Sequence, residues 1–246
     1  MTQPMGDSHR RFLQTMMAHG IIDKMMARSL HKHCCEIHKA QYAHDRLDEF
    51  IGVINSRLQP MFMQIRKGIS EDNGFEYYAL VNLANTDVTK MSSDYADNEL
   101  ELFQKIIDLI VDSDEGIACS TEILNHADSL QSKKLKKSDA EHLLRRLVLD
   151  NWLNEKQGNY TLTTRCIIDM DHFIRTVYAD RVKMCSICRS IALQGQLCEN
   201  PTCDIKIHKP CVARYFKDKE DPRCPACDEF WPHEIPEVGQ SQSQPR

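Results

Sequence analysis

The chain has 246 residues, of which 41% are hydrophobic, and its formal net charge is −5. This length supplies enough apolar surface for about two cores, or three if one is a small module held by metal. The negative charge excludes a general attraction to nucleic acid, so any DNA contact requires a local basic patch. Asp7, Arg11 and Asp23 interrupt any apolar run that could act as a signal peptide or membrane span. We therefore expect a soluble intracellular protein without membrane contact.

The first part of the chain has the apolar spacing of three helices. Phe12 to Met17 and Ile22 to Leu30 repeat at helical intervals on either side of Gly20, which predicts two helices with a break between them. The spacing resumes at Leu47 and stops at Pro60, because proline cannot donate a backbone hydrogen bond and disfavours helix at the preceding residue. We therefore predict a third helix that ends before Pro60.

A hairpin is predicted after these helices. Apolar residues alternate from Met61 to Ile65, and a second run from Phe75 to Leu83 is rich in aromatic and branched residues. Asp72-Asn73-Gly74 supplies the turn between the two runs. Three helices followed by a hairpin is the order of a winged helix, so we predict a first winged-helix domain over residues 8–95.

A similar order of elements recurs further along the chain. An amphipathic helix is predicted from Leu100 to Ile110, and Gly116 follows it as a stop. Residues 117–119 are predicted to form a short strand, and Ser120 is predicted to cap a helix that continues to about Leu130. These elements match the first half of a second winged helix.

The second half of that unit is predicted by the same reasoning. Ser138 and Glu141 fit a capping box ahead of another helix, and Trp152 to Leu162 alternate about a turn as a hairpin does. Ile167 to Val177 predict a last helix whose apolar side faces inward. We therefore predict a mostly helical chain with small β-hairpins, in which a second winged-helix domain covers residues 96–180.

Cysteines and one histidine are concentrated in the last part of the chain. Seven of the eleven cysteines lie between Cys185 and Cys227, together with His208. In a reducing compartment this clustering favours metal over disulfides. Zinc takes four soft ligands in a tetrahedron, and two residues between cysteines let one turn present both sulfurs to one ion. The predicted ligands of two Zn²⁺ ions are Cys185, Cys188, Cys198, Cys203, His208, Cys211, Cys224 and Cys227.

The pairing of these ligands distinguishes two kinds of domain. Consecutive sites would resemble a LIM pair of fingers, whereas interleaved sites would form the cross-brace of a RING or PHD finger. The short middle loops and the late Cys224-Pro225-Ala226-Cys227 pair favour interleaving. Interleaving assigns Cys185, Cys188, His208 and Cys211 to one ion, and Cys198, Cys203, Cys224 and Cys227 to the other. We predict a small cross-brace zinc domain of the variant RING type over residues 181–236.

Three positions distinguish a RING from a PHD finger. A PHD finger normally has an aromatic residue two positions before the seventh ligand, where this chain has Pro222. RING domains that recruit ubiquitin-conjugating enzymes present an apolar residue in the first ligand pair and a proline after the seventh ligand. Ile187 and Pro225 occupy those positions. We predict that these two residues and Phe216 dock a conjugating enzyme, and packing around the zinc ions is the competing interpretation.

Five stretches of the chain are distinctive. They are C-S-I-C from Cys185, H-K-P-C-V-A-R-Y-F from His208, R-C-P-A-C-D-E-F-W-P-H-E-I-P from Arg223, Y-A-L-V-N-L from Tyr78 and H-R-R-F-L-Q from His9. Together they resemble the family of non-SMC element one subunits of the structural maintenance of chromosomes five-six complex. The resemblance covers nearly the whole chain, and its C-terminal block is the most specific part.

The resemblance implies two winged-helix domains, a RING-like ubiquitin ligase domain and a nuclear, chromosome-associated role in DNA repair by homologous recombination. It also implies a heterodimer with a MAGE-family subunit and contact with a kleisin subunit. A RING ligase acts by orienting a conjugating enzyme that carries ubiquitin as a thioester, so no catalytic nucleophile is predicted. Asp228 stands where highly active RINGs often carry a basic residue, which predicts weak activity stimulated by the MAGE partner. The alternative is a zinc-stabilised structural subunit whose RING-like domain mediates assembly.

A basic run precedes the presumed recognition helix of the second winged helix. Its members are Lys133, Lys134, Lys136 and Lys137. A phosphate backbone fits against such a run, although a solvated loop is the commoner meaning. DNA contact is therefore a hypothesis for these four lysines.

Other clusters are set aside. His31, His33, Cys34, Cys35 and His38 include no C-x-x-C pair, and Cys34 fits an ordinary buried helix face. Cys119 and Cys166 are predicted to be small core residues. No spacing organises these thiols with a histidine into a catalytic pair, so a hydrolase is rejected. The tail 237–246 is predicted to be disordered.

Overall fold

The computed structural model describes residues 4–84, 88–91 and 94–236. Most of its regular structure is helical. The helices are α1 (Asp7–His19), α2 (Lys24–Ile37), α3 (Leu47–Leu58), α4 (Asp97–Asp112), α5 (Ser120–His126), α6 (Lys137–Leu149), α7 (Thr164–Val177) and α8 (Lys209–Tyr215). The strands are β1 (Ile21–Asp23), β2 (Met63–Ile69), β3 (Glu76–Asn82), β4 (Ala118–Cys119), β5 (Leu153–Lys156), β6 (Asn159–Leu162), β7 (Gln196–Leu197) and β8 (Lys206–Ile207). The predicted tail 237–246 lies outside the described residues.

The N-terminal region, residues 4–84, packs α1, α2 and α3 against an antiparallel sheet of order β1-β3-β2. Phe12, Met16 and Ile54 are completely buried between these elements. Asn55 ties α3 to the sheet, because its side chain donates to the carbonyl of Ile65 at 3.0 Å and accepts from the same residue's N–H at 2.8 Å. The three helices and the β2-β3 hairpin follow one another as predicted.

One element of this region differs from the prediction. Ile22, placed in a helix by its spacing, lies in strand β1 and pairs with Tyr78. Gly20 turns the chain with φ 72°, and Asp23 then caps α2 by accepting from the N–H of Met26 at 2.7 Å. The spacing prediction was wrong here because a strand of three residues is too short to produce its own period.

The central region, residues 88–91 and 94–180, repeats the order of elements. Its sheet has the order β4-β6-β5, and Leu102, Ile106 and Ile110 of α4 are completely buried in its core. Val88 and Tyr95, from the end of the predicted first domain, pack into this second core.

Three details of the central region correct the predictions. Ser120 is the first residue of α5 rather than its cap, and Cys119 is the N-cap. Ser138 does not form a capping box, because α6 already begins at Lys137 and Lys136 is its N-cap. Val177 does not face inward, since it is 50% exposed at the end of α7.

Helix α7 joins the two regions. Ile168 of α7 packs in one apolar cluster with Ala79 and Val81 of β3. Gly68 of β2 leaves the space for this contact, since a Cβ added there would lie 2.4 Å from Ile168. Within the described residues no helix is both long enough and apolar enough to cross a membrane.

Residues 181–236 form the C-terminal module, which contains the β7-β8 hairpin and α8. Ile191 and Leu193 of this module pack into the core of the central region. The module is therefore seated on the rest of the chain, and this contact fixes the position of the cysteine clusters.

Candidate metal centres in the C-terminal module

The structure gathers the eight predicted ligands into two groups of four. The first group is Cys185, Cys188, His208 and Cys211, and the second is Cys198, Cys203, Cys224 and Cys227. Within each group the possible ligand atoms all lie within 4.8 Å of one another. The groups alternate along the chain, which is the interleaved arrangement that the sequence favours and not the consecutive one.

The spacing of the sulfurs fits a tetrahedral ion. The thiols of Cys198 and Cys227 are 3.6 Å apart, and those of Cys203 and Cys224 are 3.7 Å apart. Sulfurs at about 2.3 Å from one zinc ion at tetrahedral corners are about 3.8 Å apart, whereas a disulfide requires about 2.05 Å. All four thiols are free. The residues therefore fit zinc and do not fit disulfides.

His208 completes the first group through one particular nitrogen. Its Nδ1 lies 3.3 Å from the thiol of Cys188 and 4.0 Å from that of Cys211. His208 is the N-cap of α8, and Cys211 lies in the first turn of that helix. The start of α8 thus brings two ligands to the same point.

The two C-x-x-C pairs sit in turns of the same design. In the first turn the N–H of Arg189 donates to the carbonyl of Cys185 at 2.9 Å, and in the second the N–H of Asp228 donates to Cys224 at 3.0 Å. Arg189 and Asp228 adopt left-handed backbone angles, with φ 62° and 61°. This conformation curls each turn so that both of its thiols point to one place.

Some thiols in both groups favour the thiolate form. Hydrogen bonds from Cys188 and Cys211 lower the pKa of Cys185 strongly. In the second group the backbone N–H of Glu229 is the main cause that lowers the pKa of Cys227 to about 7. The thiolate is the form that binds metal, so these two thiols are the ligands best prepared for zinc. The pKa of Cys211 is raised by its hydrogen bonds with Cys185 and Cys188, and desolvation raises the pKa of Cys198 and Cys203.

Two buried charges that the sequence reasoning missed lie beside the first group. Glu71, in the turn between β2 and β3, accepts from the N–H of Leu193 at 2.7 Å, and one of its oxygens lies 3.0 Å from His208 Nε2. Lys206 donates from Nζ to the carbonyls of Leu193 at 2.7 Å and Asp114 at 2.8 Å. Burial lowers the pKa of Lys206, and the nearby charges of Glu71 and Asp114 oppose that effect. No local motif marks Glu71, because it is 137 positions from His208.

Comparison with known families matches both parts of this architecture. A family model described as "Nse1 non-SMC component of SMC5-6 complex" matches residues 9–131 and 120–170. A second model, described as a RING-like domain, matches residues 185–227. The chain belongs to the Nse1 family. The resemblance seen in the sequence is thereby confirmed, and so is the RING-like character of the C-terminal module.

Relatives in the Nse1 family cover almost the whole chain. A non-structural maintenance of chromosomes element 1 homolog from Xenopus laevis is 53% identical over 99% of this chain and 90% of its own length. The Bos taurus homolog is 51% identical over 96% of this chain and 88% of its own length. The Schizosaccharomyces pombe protein is 24% identical over 92% of this chain and 93% of its own length.

A solved structure described as "Nse1-Nse3-Nse4 complex" contains a similar chain. The match has a TM-score of 0.84 and 54% sequence identity, and it covers 95% of this chain and all of the other. A likeness of this size supports a shared arrangement of the helical regions and the RING-like module of the Nse1 family.

The three predicted docking residues have different environments. Ile187 is 37% exposed, and Pro225 is exposed in the second C-x-x-C turn. Phe216 is only 1% exposed and packs on Trp231 with ring centroids 5.5 Å apart. Phe216 is therefore a core residue, and its prediction as a surface contact was wrong because it closes the end of α8 onto the module's interior.

Trp231 is the core aromatic that sequence reasoning missed. It is 1% exposed, and its backbone N–H donates to the carbonyl of Pro222 at 2.8 Å. Its indole N–H donates to Gln196 at 2.9 Å. Pro222 stands where a PHD finger would have its aromatic residue, so this module is packed from the C-terminal side of its last ligand instead.

The basic run lies at the start of α6. Lys133, Lys134, Lys136 and Lys137 are all exposed. Glu101 anchors the preceding turn, because its carboxylate accepts from the N–H groups of Gln131 at 2.6 Å and Ser132 at 2.9 Å. None of the ion pairs found among the described residues uses these four lysines.

The histidines and cysteines of α2 do not form a metal group among the described residues. His31, Cys34 and Cys35 are buried, which agrees with their interpretation as a core face. Cys166 is also buried, whereas Cys119 is half-buried beside Asn159.

Proposed function

We propose that this Nse1-family chain is a RING-type E3 ubiquitin ligase subunit whose activity depends on a partner. The observation that carries the proposal is the pair of interleaved ligand groups with Ile187 and Pro225 exposed on their two turns. In a RING ligase these positions meet the ubiquitin-conjugating enzyme. With Phe216 buried, the proposed docking surface consists of Ile187 and Pro225.

Two Zn²⁺ ions are the proposed cofactors, held by the eight ligands described above. Bound zinc supplies structural cross-links here and no reaction chemistry, because each group already provides four ligands and leaves no open position. The chain's own contribution is orientation. A conjugating enzyme held at Ile187 keeps its ubiquitin thioester in position for attack by a substrate lysine, which is catalysis by proximity.

The proposed partners follow from the family. The similar chain comes from an assembly named for Nse1, Nse3 and Nse4, which supports assembly with two sister subunits. We propose that these are the MAGE-family and kleisin subunits and that the chain acts within the SMC five-six complex. Its proposed place is the nucleus, on chromosomes, in DNA repair by homologous recombination.

Asp228 is the reason to propose partner dependence. It is exposed directly after the last ligand and offers a negative charge where a basic clamp for ubiquitin would be needed. A MAGE-family partner would then supply the missing contact. The alternative function, a zinc-stabilised structural subunit, is supported by the same Asp228 and by the way the module is seated on both other regions.

Discharge of ubiquitin from a charged conjugating enzyme tests these two functions. We expect the wild-type chain with the MAGE-family subunit to accelerate discharge across a panel of conjugating enzymes, and Ile187→Ala to lose at least about tenfold of that rate. Leu149→Ala, an exposed apolar residue of α6 that is 78% exposed, is the matched control and should keep the full rate. No discharge by the wild-type complex would support the structural alternative, provided that the complex still assembles.

DNA contact through Lys133, Lys134, Lys136 and Lys137, which lie before and at the start of α6, is a further part of the proposal. Their exposure and the anchored turn before them support it, since several exposed lysines close together suit a phosphate backbone. We expect Lys133→Glu with Lys134→Glu to weaken DNA binding and to reduce its salt dependence. Lys32→Glu with Lys39→Glu, two exposed lysines of the N-terminal region, serves as the control; an equal loss in the control would contradict the assignment.

The three predicted domains also remain a proposal. We propose the divisions 8–95, 96–180 and 181–236 with one change, because Val88 and Tyr95 pack into the central core. This packing favours a first boundary close to residue 84.

A further inference from the structure

We propose that Glu71 is a positioning residue for His208, so that the N-terminal region completes the first metal group of the C-terminal module. The side chain of Glu71 is only 4% exposed. It comes from the β2-β3 turn, and every polar contact recorded for its carboxylate is made to the module. A carboxylate buried this far requires partners that repay its lost hydration.

The two nitrogens of His208 have separate tasks. Nδ1 faces the thiols of the first group, 3.3 Å from Cys188. Nε2 lies 3.0 Å from a Glu71 oxygen and 2.8 Å from the carbonyl of Ile191. An ionised carboxylate and a carbonyl can only accept, so Nε2 carries a proton. In the neutral ring this leaves the lone pair on Nδ1, which is the form that binds a metal. Carboxylates in this position fix the ring and increase its strength as a ligand.

The β2-β3 turn is held tightly against the start of α8. A Cβ added to Gly74 would lie 2.5 Å from Cβ of Pro210, and Gly74 has φ +70°. The turn is closed by the N–H of Gly74, which donates to the carbonyl of Ser70 at 2.9 Å. Glu71 thus lies in a turn whose backbone is closely packed against α8, which holds its carboxylate beside His208.

Opposite charges hold the same peptide segment from its two sides. Glu71 accepts from the N–H of Leu193, while Lys206 donates to the carbonyl of that residue. Lys206 also donates to Asp114 in the central region. Glu71 therefore bonds this segment directly to the N-terminal region, and Lys206 links the same segment to the central region.

The second metal group shares only part of this support, because backbone N–H groups also donate to the thiols of the first group, at Cys188 and Ser190. The thiols of the second group accept hydrogen bonds from the module's own backbone, at Asn200, Ile205 and Glu229. None of the described carboxylate side chains is recorded in a hydrogen bond with its ligands. Glu71 should therefore affect one metal site and not the other.

Coupling between the turn and the first site must act in both directions. If docking of the N-terminal region raises the metal affinity of the first group, then metal in that group stabilises the docking by the same free energy. The inference rests on the proposed zinc at His208. It predicts that loss of the zinc ion at the first group weakens the contact between the RING-like module and the N-terminal region.

Zinc release from the full-length chain tests the inference. Wild type, Glu71→Ala and Glu71→Gln are loaded with zinc, counted by elemental analysis and mixed with a chromogenic chelator. We expect wild type to hold two zinc ions, and Glu71→Ala to release one of them roughly 10–100-fold faster while the other is unchanged. Glu76→Gln is the matched control, because Glu76 lies on the same hairpin but pairs with Lys24 and Lys67.

A spectroscopic readout separates positioning from general loss of structure. Cobalt replaces zinc, and its ligand-field absorption distinguishes the site with one nitrogen ligand from the site with four sulfurs. We expect Glu71→Gln, which keeps the shape but loses the charge, to shift only the nitrogen-containing site. This nearly isosteric variant also keeps the test decisive if Glu71→Ala does not fold.

Three outcomes would overturn the inference. Equal acceleration of both ions, or none, in Glu71→Ala would remove the specific role of this residue. An unchanged cobalt spectrum in Glu71→Gln would do the same. If wild type holds no zinc at all, the metal proposal itself fails, which distinguishes that failure from an error about Glu71 alone.

Discussion

The N-terminal region and the C-terminal module are built on opposite principles. The first buries large apolar side chains, and Phe12, Met16 and Ile54 are 0% exposed. The core of the second is smaller and consists of Cys185, Ala192, Ile207, Cys211, Val212, Phe216, Cys224 and Trp231. Three of these eight residues are proposed metal ligands. Apolar burial alone can therefore fold the first region, whereas the module needs its ions as part of its core.

Removing zinc is expected to have the largest effect, and to affect the C-terminal module but not the N-terminal region. Structural zinc contributes roughly 10–16 kcal/mol in small zinc domains, so stripping it should unfold the module. Amide hydrogen exchange should then become fast in α8 and both C-x-x-C turns, while α1 and α3 keep their protection. Mass spectrometry with a parallel zinc count makes the measurement. Full protection of α8 in metal-free chain would contradict the contrast between the two cores.

Trp231→Ala tests the small apolar part of the module's core. Truncating a buried aromatic residue costs about 3–5 kcal/mol, and this truncation also leaves the side-chain oxygen Oε1 of Gln196 without its donor. We expect faster exchange throughout the module and no change in α1. Phe230→Ala is the control, since Phe230 is next to Trp231 in the sequence but is 57% exposed, so its removal should matter little. Equal effects of the two substitutions would mean that Trp231 does not organise this core.

Lys206→Met probes the charged contact that joins the module to the central region. The substitution keeps most of the apolar stem but leaves the carbonyls of Leu193 and Asp114 without their donor, at a cost of about 1–3 kcal/mol. Lys183→Met is the comparison, because Lys183 pairs with Asp204, whose side chain is 86% exposed, and such surface pairs contribute about 0–1 kcal/mol. The rate of hydrogen exchange at the Leu193 amide measures the effect of each substitution. A larger effect from Lys183 would reverse the proposed order.

The same contrast explains which features could be predicted from the sequence. The ligand pairs Cys185-x-x-Cys188 and Cys224-x-x-Cys227 are local patterns whose spacing follows directly from tetrahedral zinc. The long amphipathic helices α3 and α4 are also local, because one face repeats over several turns. Both kinds of feature were recognised from neighbouring residues alone.

The features missed by the sequence reasoning depend on contacts between distant residues. Glu71 reaches His208 across 137 positions, and nothing near Glu71 in the sequence distinguishes it from a solvated acid in a turn. Strand β1 is stabilised by pairing with β3, which lies more than 50 positions later. The assignment of Phe216 to the surface was wrong, because its burial depends on a packing contact with Trp231 that the sequence does not show. Periodicity carries no information about such pairings.

The smallest predicted effect concerns a buried histidine without metal. His31 is 3% exposed, lies 4.4 Å from the ring of Phe50, and has no hydrogen-bond partner at Nδ1 among the described residues. Burial, helped by His9, lowers its pKa below the ordinary value of 6.5. The unfolded chain therefore binds more protons as pH falls below about 6.5, so the N-terminal region loses stability on acidification. His208 differs because both of its nitrogens have partners.

His31→Phe should reduce this acid sensitivity, since phenylalanine fits beside Phe50 and has no nitrogen to protonate. The dependence of the region's stability on pH should become weaker without vanishing, because the pKa of His9 is also lowered by burial. Protection of α2 amides from about pH 5 to 8, corrected for intrinsic exchange, is the proper readout, since thiol ligands of the module titrate as well. His33→Gln alters an exposed histidine of the same helix and should leave this pH dependence unchanged. An unchanged pH dependence in His31→Phe would show that the acid sensitivity of this region arises elsewhere, with His9 as the next residue to test.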